Sequence, residues 1–433
     1  SYGSRGANGV IIITTRIGHT DMPMKVDYSA YYGVDKIWQI MPVTNAHNYQ
    51  MLNNEARYNA NNKPLAPGND PNSPRFITDV DTDWQQEGLQ TGRRHNQNVN
   101  ISGGGKHNTY LVSLDMFENT GTFVGNGPDY TRYTGRANLT QERGRFRFGQ
   151  TISFAHTDEN ALVTGDGLLA GGRPPLINDL VFAIPTMPLY DENRRGGFGG
   201  TASDLHDAIS LNGIGFNSLI KNSTTVSRLT SNLWGEAELW KSDHHSLKYR
   251  LNFGYDINEV RDLTFTPRFN LGYFFINNIN RVNDNNRRYE NLLVENLLTY
   301  DFTKDKHSLS LLAGQMYQKY GAWEKFVTGT GFSDENFASL RNAEETSANN
   351  FDQFNALASY LGRLNYNYAD RYLFTATIRR DASSRFRPQN RVGYFPSFAA
   401  GWRLSNENFF PDTQGVISDL KLRASWGKLG NEN

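Results

Sequence analysis

Apolar and polar residues alternate with a period of two along most of this chain. In Leu247-Lys248-Tyr249-Arg250-Leu251-Asn252-Phe253-Gly254-Tyr255-Asp256 every odd position is apolar or aromatic and every even one is polar or glycine. Leu420-Lys421-Leu422-Arg423-Ala424-Ser425-Trp426-Gly427 shows the pattern in the other phase, and so does the stretch from Val392 to Leu404. A strand puts each of these sets on one face, whereas a helix would scatter them around a cylinder. The pattern predicts strands at 24–35, 96–103, 109–119, 131–141, 146–157, 225–240, 246–264, 290–303, 307–325, 354–369, 371–381, 391–404 and 418–430. Many exceed the average strand of about 5–6 residues and reach the about 9–11 that a tilted strand needs to cross a bilayer.

The connections alternate too. Tight polar turns fall at 103–108, 142–145, 241–245, 304–306 and Asp370. Between them lie long polar stretches, 36–95, 158–224, 265–289 and 326–353, rich in Asn, Gly, Pro and aromatics. An up-and-down barrel has this rhythm when one end faces a tight compartment and the other the outside. A globular domain rarely tolerates a connection of about 60 residues. All four long stretches are therefore expected at one end. A helix is expected over 45–56, with Thr44 as its N-cap and Tyr49, Leu52 and Ala56 on one face. Aromatics near strand ends (Tyr31, Tyr32, Trp234, Trp240, Phe274, Phe275, Tyr366, Tyr368, Phe409, Phe410, Trp426) fit an interfacial girdle or ordinary packing between sheets.

Composition narrows the function classes. The 433 residues carry 44 Lys+Arg and 44 Asp+Glu, so there is no bulk field to gather nucleic acid, and no nucleic-acid partner is expected. Without cysteine there is no disulfide frame, thiolate nucleophile or thiolate metal site. Mean hydropathy is −0.61, and the densest apolar run, Val10–Ile13, is far short of a spanning helix. A membrane barrel is still allowed, because only alternate side chains of its strands meet lipid. The opening Ser1-Tyr2-Gly3-Ser4 has neither Met nor a basic leader, and the chain reads as a piece of a longer precursor.

Candidate chemistry is sparse. Asp79-Val80-Asp81-Thr82-Asp83 begins like a calcium loop, but Trp84 stands where Gly is needed and Gln90 where Glu is needed, so it reads as a solvated acidic turn. Adjacent His244 and His245 point different ways and read as a solvated turn. Gly196-Gly197-Phe198-Gly199-Gly200 and Gly329-Thr330-Gly331 lack a phosphate-binding context and read as flexible loop tips. Ala183–Pro188 is an apolar stretch that lines a cavity or packs a loop. Arg379, Arg380, Asp381, Arg385 and Arg387 form either a site for anionic groups or, the preferred reading, an ion-paired network that fixes a loop. No catalytic, metal or cofactor site emerges, and no enzyme is expected.

Tyr2-Gly3-Ser4-Arg5-Gly6-Ala7-Asn8-Gly9, followed by the β-branched run Val10 to Thr15, resembles the end of the plug domain of TonB-dependent outer-membrane transporters, in their SusC/RagA branch. Asp83-Trp84-Gln85, Ala376–Phe386 with Gly393–Ser397, and Ser418–Gly427 fit the same family in the same order. The resemblance implies an all-β fold: an incomplete transmembrane antiparallel barrel, with about 13 strands here against about 22 in the family, preceded by the last strand of a plug. Residues 1–20 would be the end of the plug, with Val10–Ile13 as one strand, and 24–433 the N-terminal portion of the barrel with long extracellular loops. The implied activity is TonB-dependent import of an oligosaccharide or peptide fragment across the bacterial outer membrane. Its implied partners are a SusD-like lipoprotein, the TonB complex through a part outside this chain, and outer-membrane lipid. Lys248, Arg250, Asn252, Lys421, Arg423 and Ser425 would line the water-facing wall, and Tyr249, Leu251 and Phe253 the lipid face. A secreted all-β binding protein or adhesin is the other reading; it explains the alternation and the loops but not the opening motif.

Overall fold

The computed structural model describes residues 3–7, 18–61, 63–162, 176–410, 417 and 419–432. Tyr2, Asn8, Gly9 and the expected strand Val10–Ile13 lie outside the described residues. The thirteen strands predicted between 24 and 430 all have counterparts. They begin with β1 (Met22–Asp35), β2 (Gly92–Gly104), β3 (Asn108–Thr120), β4 (Asp129–Arg143), β5 (Phe146–Asn160), β6 (Lys221–Lys241) and β7 (His245–Thr266). A small hairpin follows, β8 (Phe269–Asn270) and β9 (Ile276–Asn277), which the alternation did not predict. The series continues with β10 (Arg281–Lys304), β11 (His307–Thr330), β12 (Glu345–Tyr368), β13 (Tyr372–Ser383), β14 (Val392–Arg403) and β15 (Lys421–Gly427).

Apart from that hairpin, the strands make one 13-stranded antiparallel sheet in which each strand pairs with the next, β1 through β15. The sheet is not closed: β1 and β15 are its two edges. Its architecture is that of a partial barrel. Among the described residues no helix is long and apolar enough to cross a membrane, which says nothing of strands.

Strict pairing carries the alternation from strand to strand. Leu251 lies opposite Gly235 on β6 and Asn296 on β10. Tyr249, Leu251 and Phe253 stand on the open face at 37%, 42% and 40% exposure. The opposite face carries Arg250, whose guanidinium lies 4.1 Å from the centre of the Trp234 ring, and Asn252, which donates to Glu295 at 3.1 Å. Trp234 is therefore a wall residue of the polar face and not part of a girdle.

Two expected loops are shorter than the polarity suggested. β10 starts at Arg281 and β12 at Glu345, so the connections between strands of the large sheet are 267–280 and 331–344. In Arg281–Tyr289 and in the first residues of β12 both faces of the strand are largely polar. The alternation then fades while the backbone ladder continues.

The connections 36–91, 161–220, 267–280 and 331–344 lie at one end of the sheet, where most of the packed core sits, and the connection between β14 and β15 lies at the other. α1 (Ala46–Asn59) lies where a helix was expected, but its N-cap is Asn45, which accepts from Asn48 N, and not Thr44. α2 (Trp84–Gly88), α3 (Leu176–Phe182) and α4 (Gly213–Leu219) were not predicted. They are too short to show a helical period. Trp84, Leu180, Ile184, Met187 and Ile214 form one buried cluster. Leu211, Phe216, Ile220, Phe269 and Leu271 form another. The apolar stretch Ala183–Pro188 thus packs the loops, through Ile184 and Met187.

Candidate functional site

The opening motif finds its partners on the polar face of the wall. Gly3–Arg5 form a single 3-10 turn. Gly3 has φ +69°, and a Cβ there would lie 2.2 Å from Asp381 Oδ2 and 2.6 Å from Arg379 Nε, so the position admits only glycine. This close approach lets Ser4 N donate to Asp381 Oδ2 at 2.7 Å. Arg379 Nε donates to the other carboxylate oxygen at 2.7 Å, and its Nη2 reaches Ser359 Oγ at 3.0 Å. Asp381 and Ser359 are each 2% exposed. A carboxylate so buried persists only when paired and hydrogen-bonded.

A second carboxylate completes the seat. Glu432, also buried, pairs with Arg5 Nε and accepts from the Ser4 hydroxyl at 3.4 Å. Arg5 Nη1 donates to Gln318 Oε1 at 2.6 Å, and Gln318 in turn donates to Asn291 at 2.7 Å. Backbone bonds tie the same segments: Gly430 N donates to Gly3 O at 3.1 Å, and Ala7 N to Gly430 O at 3.3 Å. Two cations and two carboxylates balance within the seat. The turn is thereby tied to β11, β12, β13 and the segment after β15.

The arginine-rich cluster read from the sequence divides by strand parity. Arg379 and Asp381 face the wall's polar side and hold Gly3–Arg5. Arg380 is on the other face, its guanidinium 5.9 Å from the Tyr360 ring centre, and Arg385 and Arg387 are exposed in the following loop. The ion pair within the cluster is that of Arg379 and Asp381, and what it holds is the Gly3–Arg5 turn. Gln318, Ser359 and Glu432 were not singled out by sequence reasoning; they come together only through register and curvature.

Other candidates resolve into structure. Asp81 accepts from Ala46 N at 2.8 Å, and Asp83 caps α2 by accepting from Gln85 N and Gln86 N. His245 is no solvated turn residue. Its ring stacks on Trp240 at 5.2 Å, and Nδ1 lies 2.7 Å from the Tyr300 hydroxyl, because register puts it opposite Phe302. Gly196 and Gly197 turn the chain at positive φ, but Gly199 and Gly200 are buried against Pro188 and Leu271, so that cluster is only partly a loop tip. His206 bridges two loop segments, accepting from Ala202 N at 3.1 Å on Nδ1, with Nε2 3.3 Å from Thr186 O. Burial pushes its imidazole below the ordinary range. Of the wall residues, Arg250 and Asn252 share a hydrogen-bonded row with Glu295, while Lys421, Arg423 and Ser425 line a depression of about 510 Å³ with Ser310, Asn365 and Thr375.

The chain as a whole has counterparts among known proteins. A TonB-dependent receptor, SusC, of Bacteroides thetaiotaomicron is 29% identical over 456 residues, covering 100% of this chain and 42% of its own. TonB-dependent receptor P3 of Formosa agariphila is 27% identical over 438 residues, covering 99% of this chain and 40% of its own. Over its whole length the chain is similar to SusC-type TonB-dependent receptors. The chain spans about two fifths of the length of these curated relatives. The RagAB peptide importer in its closed-closed state superposes with a TM-score of 0.79 at 21% identity, over 99% of this chain and 50% of that one. That likeness supports the fold. No protein-family model matches the chain. The 13-stranded open sheet matches about half of that importer chain.

Proposed function

We propose that this chain supplies part of the wall of an importer that carries a large nutrient, an oligosaccharide or peptide fragment, across the outer membrane. Residues 1–20 act as the end of a plug and 24–433 as the N-terminal portion of the barrel. The observation that carries this reading is the Gly3–Arg5 turn seated on the polar wall by Asp381 and Glu432. A plug end tied to the wall at one point stays in register when the rest is pulled, and TonB is the expected source of that pull. The long connections face outside the cell and hold substrate.

A SusD-like lipoprotein is the proposed lid over that end. Exposed apolar side chains there support a protein partner, among them Trp38 at 92% and Tyr58 at 70% exposure. The test is uptake of labelled oligosaccharides and peptides by cells carrying the full-length receptor. Uptake that is lost with either the receptor or TonB supports the reading. Uptake indifferent to both contradicts it.

A further inference from the structure

The open face of the sheet holds a hollow that import does not use. Leu298, Ala313, Gly362, Ile378 and Pro396 are direct cross-strand neighbours in one row. The two small residues at its centre leave a depression of about 570 Å³, bounded below by Tyr300, Leu311 and Leu364. A Cβ on Gly362 would meet only Ile378, at 3.5 Å. The strands involved are interior to the sheet, so the hollow does not depend on its edges.

Toward the short turns the hollow ends in a hydrogen-bonding border. The Tyr366 hydroxyl lies 2.8 Å from His307 Nδ1, and the Tyr300 hydroxyl 2.7 Å from His245 Nδ1. The arrangement repeats: each histidine opens a strand after a short turn and has an aromatic residue opposite or next to its partner, Phe302 for His245 and Tyr368 for His307. With Nδ1 engaged, Nε2 is the ring atom left to meet a ligand. When the tyrosine donates to Nδ1, the imidazole proton sits on Nε2. From His307 to Ala313 the strand rises roughly 20 Å. At a tilt of about 45° this is roughly 14 Å of depth, one leaflet of a hydrocarbon core about 30 Å thick.

We infer that this face binds one diacyl phospholipid of the leaflet on the short-turn side. An acyl chain fills the hollow over Ala313 and Gly362, and a phosphate oxygen accepts from His307 Nε2–H, with Lys306 beside it in the turn. A sugar or peptide would leave its polar groups unbonded against the leucines, whereas an acyl chain loses nothing there. The inference rests on reading the sheet as a membrane wall.

The test is native mass spectrometry of the full-length receptor, extracted in mild detergent with its own lipids. The wild type is expected to retain one phospholipid. Gly362→Leu, which fills the hollow, and His307→Ala, which removes the phosphate donor, are each expected to lower occupancy at least tenfold while the heat-shifted electrophoretic mobility of a folded barrel is kept. Ala313→Met fills the same hollow from the next strand should Gly362→Leu not assemble. Folded variants that retain as much lipid as the wild type overturn the site, and so does a retained mass equal to a second receptor copy. A wild-type receptor that never enters the outer membrane overturns the membrane reading itself, and the lipid site with it.

Discussion

The backbone N–H of Ser4 donates to Asp381 Oδ2 at 2.7 Å, joining positions 377 residues apart. The bond uses the main chain of one residue and the buried side chain of the other, so substitutions at the two positions should behave differently. Asp381→Ala leaves Arg379 buried without its carboxylate and should cost about 3–5 kcal/mol in urea unfolding of the full-length receptor. Ser4→Ala keeps the N–H and should cost no more than about 1 kcal/mol. Gly3→Ala should behave like the severe variant, because its new methyl would overlap Asp381. Equal effects at Ser4 and Asp381 would contradict the seat.

The two faces of β7 make a sharper pair. Leu251→Arg puts a charge on the lipid side and should destabilise the folded barrel by about 2–4 kcal/mol near the bilayer midplane. Asn252→Arg lies on the polar wall, beside Glu295, and should cost much less. Unfolding from lipid vesicles measures both. Equal penalties would indicate water on both faces.

His206 gives the loop end a pH dependence. Its folded pKa is lowered, chiefly by burial, so the unfolded segment takes up a proton more readily than the folded one. Stability from this residue is therefore full above the unfolded value of about 6.5 and is lost as pH falls through the folded value. Limited proteolysis of the 185–213 segment in the full-length receptor should accelerate below about pH 6, and His206→Gln should flatten that response. Acceleration toward alkaline pH would contradict the assignment.

What could be read from the sequence follows from what each feature depends on. The alternation in Leu247–Asp256 depends on nearest neighbours and one wet face, so strands and facing were legible. Arg281–Tyr289 escaped because strand continues where both faces are polar. Asn45 and not Thr44 caps α1, because its backbone is extended and its side chain reaches Asn48 N, which residue type alone does not reveal. In the seat, Gly3, Ser4 and Arg5 were marked by the opening motif, and Asp381 by its charged neighbours. Gln318, Ser359 and Glu432 carry no local signal, since their role arises from strand register and the return of the chain after β15. His245 was misread because a turn was judged by its own residues and not by Phe302 across the ladder.

Side-specific labelling tests the central claim most directly. The chain has no cysteine, so a single cysteine introduced here is its one thiol, and any cysteine elsewhere in the full-length receptor is first replaced by serine. Glu192→Cys and Asp334→Cys lie in long connections, and Asp243→Cys and Asp305→Cys in short turns at the opposite end of the sheet. On intact cells, a membrane-impermeant maleimide is predicted to label the first pair and to reach the second only after the outer membrane is opened. Labelling of Asp243→Cys and Asp305→Cys on intact cells, with Glu192→Cys and Asp334→Cys protected, would contradict the account.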